Sequence, residues 1–443
     1  MQKKPLSLAF VTRLLPRCVF SKCVKEELSM NNFGKMILAE NQEYSLDCYE
    51  TQLNNNVLVV GTSGAGKTRS IVTPNILEAT GSYVISDPKG NLYGKYGEYL
   101  REKGYHVLKL DFTNPEESHK YNFFDYIQTT QDIVSTAHML IYDGEKGNHV
   151  DPFWDQSSQL LLQALIAYLK EAHGRGDQNL HSLLKLVTCC SNSGDLDNLE
   201  STTDKIMKDY ARRHPDSYAV STYNKFRVAA SKTLRSILIS VNSKLGLFDT
   251  PEVKEMTAWD EMDLPLIGLE KTAVFVVISD TDRSMDALAN LFFTQAMNQL
   301  CRYADNHCED NRLPVPVRFI LDDFATNCKI GDFPRMISSI RSRGISAMIM
   351  IQAESQLTKC YGDDGYTIIS NCDTYVYLGT NDVKTAQSVA ERADVSTKRI
   401  LYMPIGTNWI FRRGHNPVNG INFDLEPYLK KKMALDEPEE IVV

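Results

Sequence analysis

Seven short apolar runs set the fold this chain can adopt. They are Val57–Val60 and residues 83–85, 107–110, 273–278, 319–321, 347–351 and 375–378. Each is continuous rather than alternating, so a strand made from it is buried on both faces, as in a parallel sheet. Helical patterns separate most of them, and this alternation predicts an α/β fold with a mostly parallel sheet. Between 129 and 259 no such run occurs. Residues 157–169 and 225–245 read as helices there, and Gly174-Arg175-Gly176-Asp177 and His214-Pro215-Asp216 read as turns. The expected plan is an α/β nucleotide-binding domain in two parts, 51–128 and 260–427, around an all-α insertion at 129–259. A basic segment at 1–50 precedes it, and a tail at 428–443, expected to be mobile, follows.

The first run leads directly into Gly61-Thr62-Ser63-Gly64-Ala65-Gly66-Lys67-Thr68. Glycines at this spacing let backbone N–H groups turn inward around phosphate oxygens. Lys67 is expected on the β- and γ-phosphates of ATP, and the Thr68 hydroxyl on Mg2+. Hydrolysis also needs an acidic site on a nearby strand. The run at 319–321 ends in Asp322 and Asp323; Asp322 is expected to hold the magnesium and Asp323 to polarise the attacking water. Gln352 ends the run at 347–351, where an amide can orient water or sense the γ-phosphate. Arg341 and Arg343 precede that run. Either can stabilise phosphoryl charge from a neighbouring subunit, and an ordinary helix end capped by Gly344 explains the pair equally well. Asp87-Pro88-Lys89-Gly90 follows the run at 83–85, at the sheet edge where α/β folds bind ligands.

Charge gives no general case for nucleic acid: 48 Lys+Arg stand against 56 Asp+Glu, a net −8. One stretch departs from this. Residues 217–248 carry no acid, but hold Lys225, Arg227, Lys232, Arg235 and Lys244 with Tyr218, Tyr223 and Phe226 interleaved. Phosphate contact and a solvated helix face both fit it. The 10 cysteines lack Cys-x-x-Cys or zinc spacing and read as reduced, packed thiols, Cys189 and Cys190 included. No stretch reaches the roughly 18–20 apolar residues of a membrane span. The first 25 residues carry only basic charge, which fits either a peripheral membrane contact or a segment docked on the body.

Several motifs occur together. They are the loop at 61–68, Asp87-Pro88-Lys89-Gly90, Phe153-Trp154, Leu321-Asp322-Asp323-Phe324-Ala325, and Ser342-Arg343-Gly344-Ile345 ahead of Gln352. In this combination, over residues 55–426, the chain resembles the type IV secretion coupling proteins of the TraG/TraD group. The resemblance implies a homohexameric ring ATPase with a RecA-like P-loop NTPase domain and an all-α domain. It implies partners in a relaxase-bearing relaxosome, single-stranded DNA and the secretion channel, at the cytoplasmic face of the bacterial membrane during conjugation. By motif match Lys67 and Thr68 take the phosphate and magnesium roles, Asp322 the acidic magnesium role and Gln352 the sensor role. Arg341 matches the arginine supplied in trans, with Arg343 second. Two features depart from the family pattern: Asp-Asp where Asp-Glu is usual, and the lack of the usual N-terminal transmembrane helices, which leaves a cytoplasmic or peripheral placement. Two other readings remain: a duplex DNA translocase of the HerA/FtsK kind, and a substrate-docking adaptor that binds ATP but hydrolyses it weakly.

Overall fold

The computed structural model describes residues 34–141, 152–191, 200–228, 231–325 and 328–434. A hairpin of β1 (Lys35–Ala39) and β2 (Gln42–Ser45) comes first. The main sheet holds β3 (Val57–Val60), β4 (Ser82–Asp87), β5 (His106–Asp111), β6 (Thr272–Val277), β7 (Val317–Leu321), β8 (Ile345–Ile351), β9 (Thr374–Tyr377), β10 (Thr407–Arg412) and β11 (Val418–Ile421). Its order is β11-β10-β9-β3-β8-β7-β4-β6-β5. From β9 to β5 every pairing is parallel; β10 and β11 add an antiparallel edge.

All seven apolar runs lie in parallel strands, and every residue of β3, β4, β6, β7 and β9 is buried. Pleating splits each run between two cores. Leu58, Val60, Phe319, Leu321, Ile349 and Ile351 face one side, continuous with the helical region. Val57, Val59, Ile85, Ile320, Met348 and Met350 face the other, under residues 67–77 and the helix Asn91–Glu102.

Between β5 and β6 the described residues hold helices and no strand, the longest being Pro152–Ala172. The single helix expected at 225–245 is instead two, Tyr218–Arg227 and Ser231–Leu245. The first closes at Val228, whose N–H turns back three residues to the Lys225 carbonyl. Phe226 is buried at the end of the first, and Leu234, Ile237, Val241 and Leu245 in the second. Residues 428–434, expected in the tail, instead form part of the helix Leu425–Ala434. The basic segment up to residue 33 and the acidic residues 436–440 lie outside the described residues. Among the described residues no helix is long and apolar enough to cross a membrane.

Candidate functional site

β3, β8 and β7 end on the same edge of the sheet: Val60 lies beside Ile351, and Ile349 beside Leu321. The residues that follow them are therefore brought together: the loop at 61–68, Gln352, and Asp322 with Asp323.

The loop is tied to the sheet at both neighbours of β3. Gly61 N–H donates to the Ile351 carbonyl at 3.0 Å, and Thr62 N–H to the Gly379 carbonyl at 2.9 Å. Gly64 and Gly66 have φ of +79° and +94°, a region that side chains disfavour. Lys67 is buried, and its ammonium donates to the carbonyls of Gly61 at 2.7 Å and Thr62 at 3.3 Å, inside the loop. A helix follows through Pro74, at the cost of one wide turn. Thr73 N–H reaches back to the Thr68 carbonyl, five residues away. The Asn75 side chain donates to the Ile71 carbonyl at 2.7 Å. This geometry absorbs a proline that lacks its own N–H.

Thr68 Oγ1 donates to Asp322 Oδ2 at 2.6 Å. The Ser86 hydroxyl donates to the Asp322 carbonyl at 2.9 Å, which fixes the end of β7 from β4. Asp322 is 7% exposed. Burial pushes its pKa above the usual carboxylate value and the Asp323 charge adds to this, while the Thr68 hydrogen bond and Lys67 oppose it. A buried carboxylate raised in this way, beside a hydroxyl, is an oxygen donor set suited to a hard divalent cation. Asp323 adopts a left-handed φ of +50°, and its N–H donates to Asp322 Oδ1 at 3.1 Å. Gln352 sits between these groups on the edge, its N–H held by Gln356 Oε1 at 2.7 Å.

Arg341 is not brought to this edge. It precedes β8, so roughly 20 Å of strand separates it from Gln352. There its guanidinium donates to the Cys48 carbonyl at 3.0 Å. Arg343 is occupied by a two-point ion pair with Asp305, both contacts at 2.8 Å. Asp87-Pro88-Lys89-Gly90 ends β4 on this same edge, where Ser86 pairs with Leu321, and the buried Asp87 carboxylate accepts from Leu92 and Tyr93 N–H at 2.9 Å to start a helix. Lys89 remains exposed beside it.

The basic stretch is partly neutralised by acids distant in sequence. Arg227 pairs with Asp204 at 3.0 Å and Lys244 with Asp155 at 3.2 Å. Lys225 and Arg235 stay exposed, while the Lys232 side chain lies outside the description.

Three contributors to the loop escaped sequence reasoning. Gly379 acts through its carbonyl, which carries no sequence signal. Asn422, delivered by the β10–β11 hairpin, donates to the Ala65 carbonyl at 3.4 Å. Glu426 pairs with Arg69 at 3.2 Å.

Residues 20–400 match the family model described as Type IV secretory system Conjugative DNA transfer. The chain belongs to this family. It is similar to protein VirD4 of Agrobacterium fabrum, 24% identical over 345 residues, covering 75% of this chain and 48% of that protein. It is also similar to coupling protein TraD of Escherichia coli K12, 25% identical over 316 residues, covering 70% and 39%. The chain spans about half the length of the curated relatives it matches. Among solved structures, the conjugative coupling protein TrwBdeltaN70 in its unbound monoclinic form gives a TM-score of 0.63 at 16% identity, covering 91% and 92% of the two chains. TrwB in complex with ADP and Mg2+ gives 0.60 at 18%, covering 83% and 84%. These likenesses show the fold, a RecA-like P-loop NTPase with a mostly parallel sheet. The family is that of coupling proteins for conjugative DNA transfer.

Proposed function

We propose that this coupling-protein chain is an ATP-driven motor that recruits a relaxase with its single-stranded DNA and helps move it into a type IV secretion channel. The observation that carries this reading is the contact of Thr68 with Asp322, on the edge that also holds Lys67 and Gln352. In this reading the loop at 61–68 would hold the phosphates through Lys67 and the N–H groups that follow Thr62, since those of Gly61 and Thr62 are donated to the sheet, and Thr68 and Asp322 would hold Mg2+. Asp323 polarises the water and Gln352 senses the γ-phosphate. Mg2+ supplies charge neutralisation on the transferring phosphoryl group.

A homohexamer is the assembly in which Arg341 would act on a nucleotide. Arg341 stands at the far end of the sheet from its own loop, so any nucleotide it serves is a neighbour's. In that ring residues 129–259 form the all-α module that meets substrate. The assembly works at the cytoplasmic face of the membrane, with the basic N-terminal residues as a peripheral contact.

A second reading, an adaptor that binds ATP and hydrolyses it weakly, is favoured by Asp323. Its carboxylate is one methylene shorter than the Glu usual in this family. ATP turnover with and without single-stranded DNA tests both. Stimulation that Lys67→Ala abolishes supports the motor; tight binding with negligible turnover supports the adaptor.

A further inference from the structure

The sheet face that carries Ile85, Ile320, Met348 and Met350 changes character at the N-terminal end of its strands. There Tyr83, Arg318 and Ser346 form one row across β4, β7 and β8. Alternation sets Arg318 on the same face as Ile320, against the core. Arg318 is only 7% exposed. Its hydrogen bond among the described residues is a long one, Nε to Ser346 Oγ at 3.4 Å. No carboxylate among the described residues pairs with it. Burial lowers its pKa, yet a guanidinium keeps its proton in a protein. Among the described residues this buried cation thus has no counter-charge, which is costly unless an anion arrives.

A cleft of about 40 Å³ opens beside it, also walled by Arg312, Arg341, Asn55, Thr80 and Ser82, and its lining among the described residues contains no Asp or Glu. The volume corresponds to about three water positions, a fit for one small oxyanion. Arg312 is steadied over the Tyr49 ring at 5.6 Å and Arg341 on the Cys48 carbonyl at 3.0 Å.

We propose that this cleft is an oxyanion-binding site, separate from the phosphate loop, that takes one phosphate or carboxylate group. Guanidinium forks match the paired oxygens of both. Dissolved phosphate is one source. The chain's own Asp436, Glu437, Glu439 and Glu440 are the other. The helix Leu425–Ala434 runs beside residues 67–77, from the Arg69–Glu426 contact at 3.2 Å to the Lys432–Glu78 contact at 2.9 Å. Glu78 is two residues from Thr80 in the cleft wall, and Asp436 follows Lys432 by four residues, a reach of about 13 Å. An anion in the cleft engages Arg341 and withholds it from a neighbouring nucleotide. That consequence rests on the trans role proposed above; the binding itself does not.

The test is calorimetric titration of inorganic phosphate into the full-length Lys67→Ala chain, whose phosphate loop lacks its ammonium, with the arginine substitutions assigning the heat to the cleft. Turnover is not read, so failure here is separable from failure of the ATPase reading. The expected result is one phosphate per chain, weakened at least tenfold by Arg318→Met and clearly weakened by Arg312→Gln, a half-buried position that spares the core. A chain with Asp436→Asn, Glu437→Gln, Glu439→Gln and Glu440→Gln separates the sources. Several-fold tighter phosphate binding identifies the acidic segment as the resident competitor, and unchanged binding assigns the site to a dissolved anion. No binding in either chain, or binding indifferent to both arginine substitutions, overturns the proposal.

Discussion

Thr68 donates its hydroxyl hydrogen to the Asp322 carboxylate across 2.6 Å, although 254 residues separate them in the chain. β8 lies between their strands, so the contact crosses the sheet edge rather than following a hydrogen-bonded pair. It gathers a magnesium-type donor set on one edge, and the predictions below start from it.

Asp322→Asn keeps an acceptor for Thr68 and removes a buried charge. Because burial raises the Asp322 pKa, its ionisation opposes folding. The stability it contributes is full below the unfolded pKa and is lost as pH rises through the raised folded value. The nucleotide-free variant is therefore expected to melt higher than the parent at about pH 8 and equally at about pH 4, as checked by thermal melts. Magnesium-dependent ATP turnover should fall by about 100-fold or more.

Asp323 is held with φ of +50°, a backbone region that Asp tolerates better than Glu. Asp323→Asn should preserve ATP binding and lower turnover by about 100-fold. Asp323→Glu restores the longer reach and should raise turnover several-fold, with a slightly lower melting temperature. Steady-state kinetics beside a binding titration checks both. Unchanged turnover in Asp323→Asn would remove this residue from the chemistry.

The basic stretch divides into two kinds of residue. Arg227 pairs with Asp204, which is buried and also accepts from Tyr223 Oη at 3.1 Å. Arg227→Ala should therefore destabilise the helical region by about 2 kcal/mol in denaturant unfolding. Lys225→Ala with Arg235→Ala should leave stability alone, weaken single-stranded DNA binding, and flatten its dependence on salt. Equal binding across a salt series would return both residues to a solvated face.

The parallel sheet was legible because most of its strands are buried on both faces, which leaves unbroken apolar runs. β10, Thr-Asn-Trp-Ile-Phe-Arg, mixes polar and apolar residues near the sheet edge and left no such run. The chemistry of Thr68 and Asp322 was legible because only certain side chains can do it. Gly379 was not, since any residue offers a carbonyl. Arg341 lies close to Gln352 in sequence yet stands at the other end of the strand between them. Adjacency in the chain says little about which edge of a sheet a residue occupies.

Arg341 gives a prediction that needs two kinds of subunit. Arg341→Ala alone and Lys67→Ala alone should each lose turnover. Mixed rings should regain part of it, because an intact loop then meets an intact arginine from its neighbour. Turnover across mixing ratios, with exchange of subunits verified by light scattering of the assembled species, is the check. Absence of recovery in rings shown to be mixed would place Arg341 in a structural role.

In the proposed motor, nucleotide chemistry at the phosphate loop is coupled to DNA. ATP hydrolysis by the full chain, with and without single-stranded DNA and beside Lys67→Ala, tests it most directly. Turnover should rise with DNA and disappear in Lys67→Ala. A rate indifferent to both DNA and Lys67→Ala would contradict it.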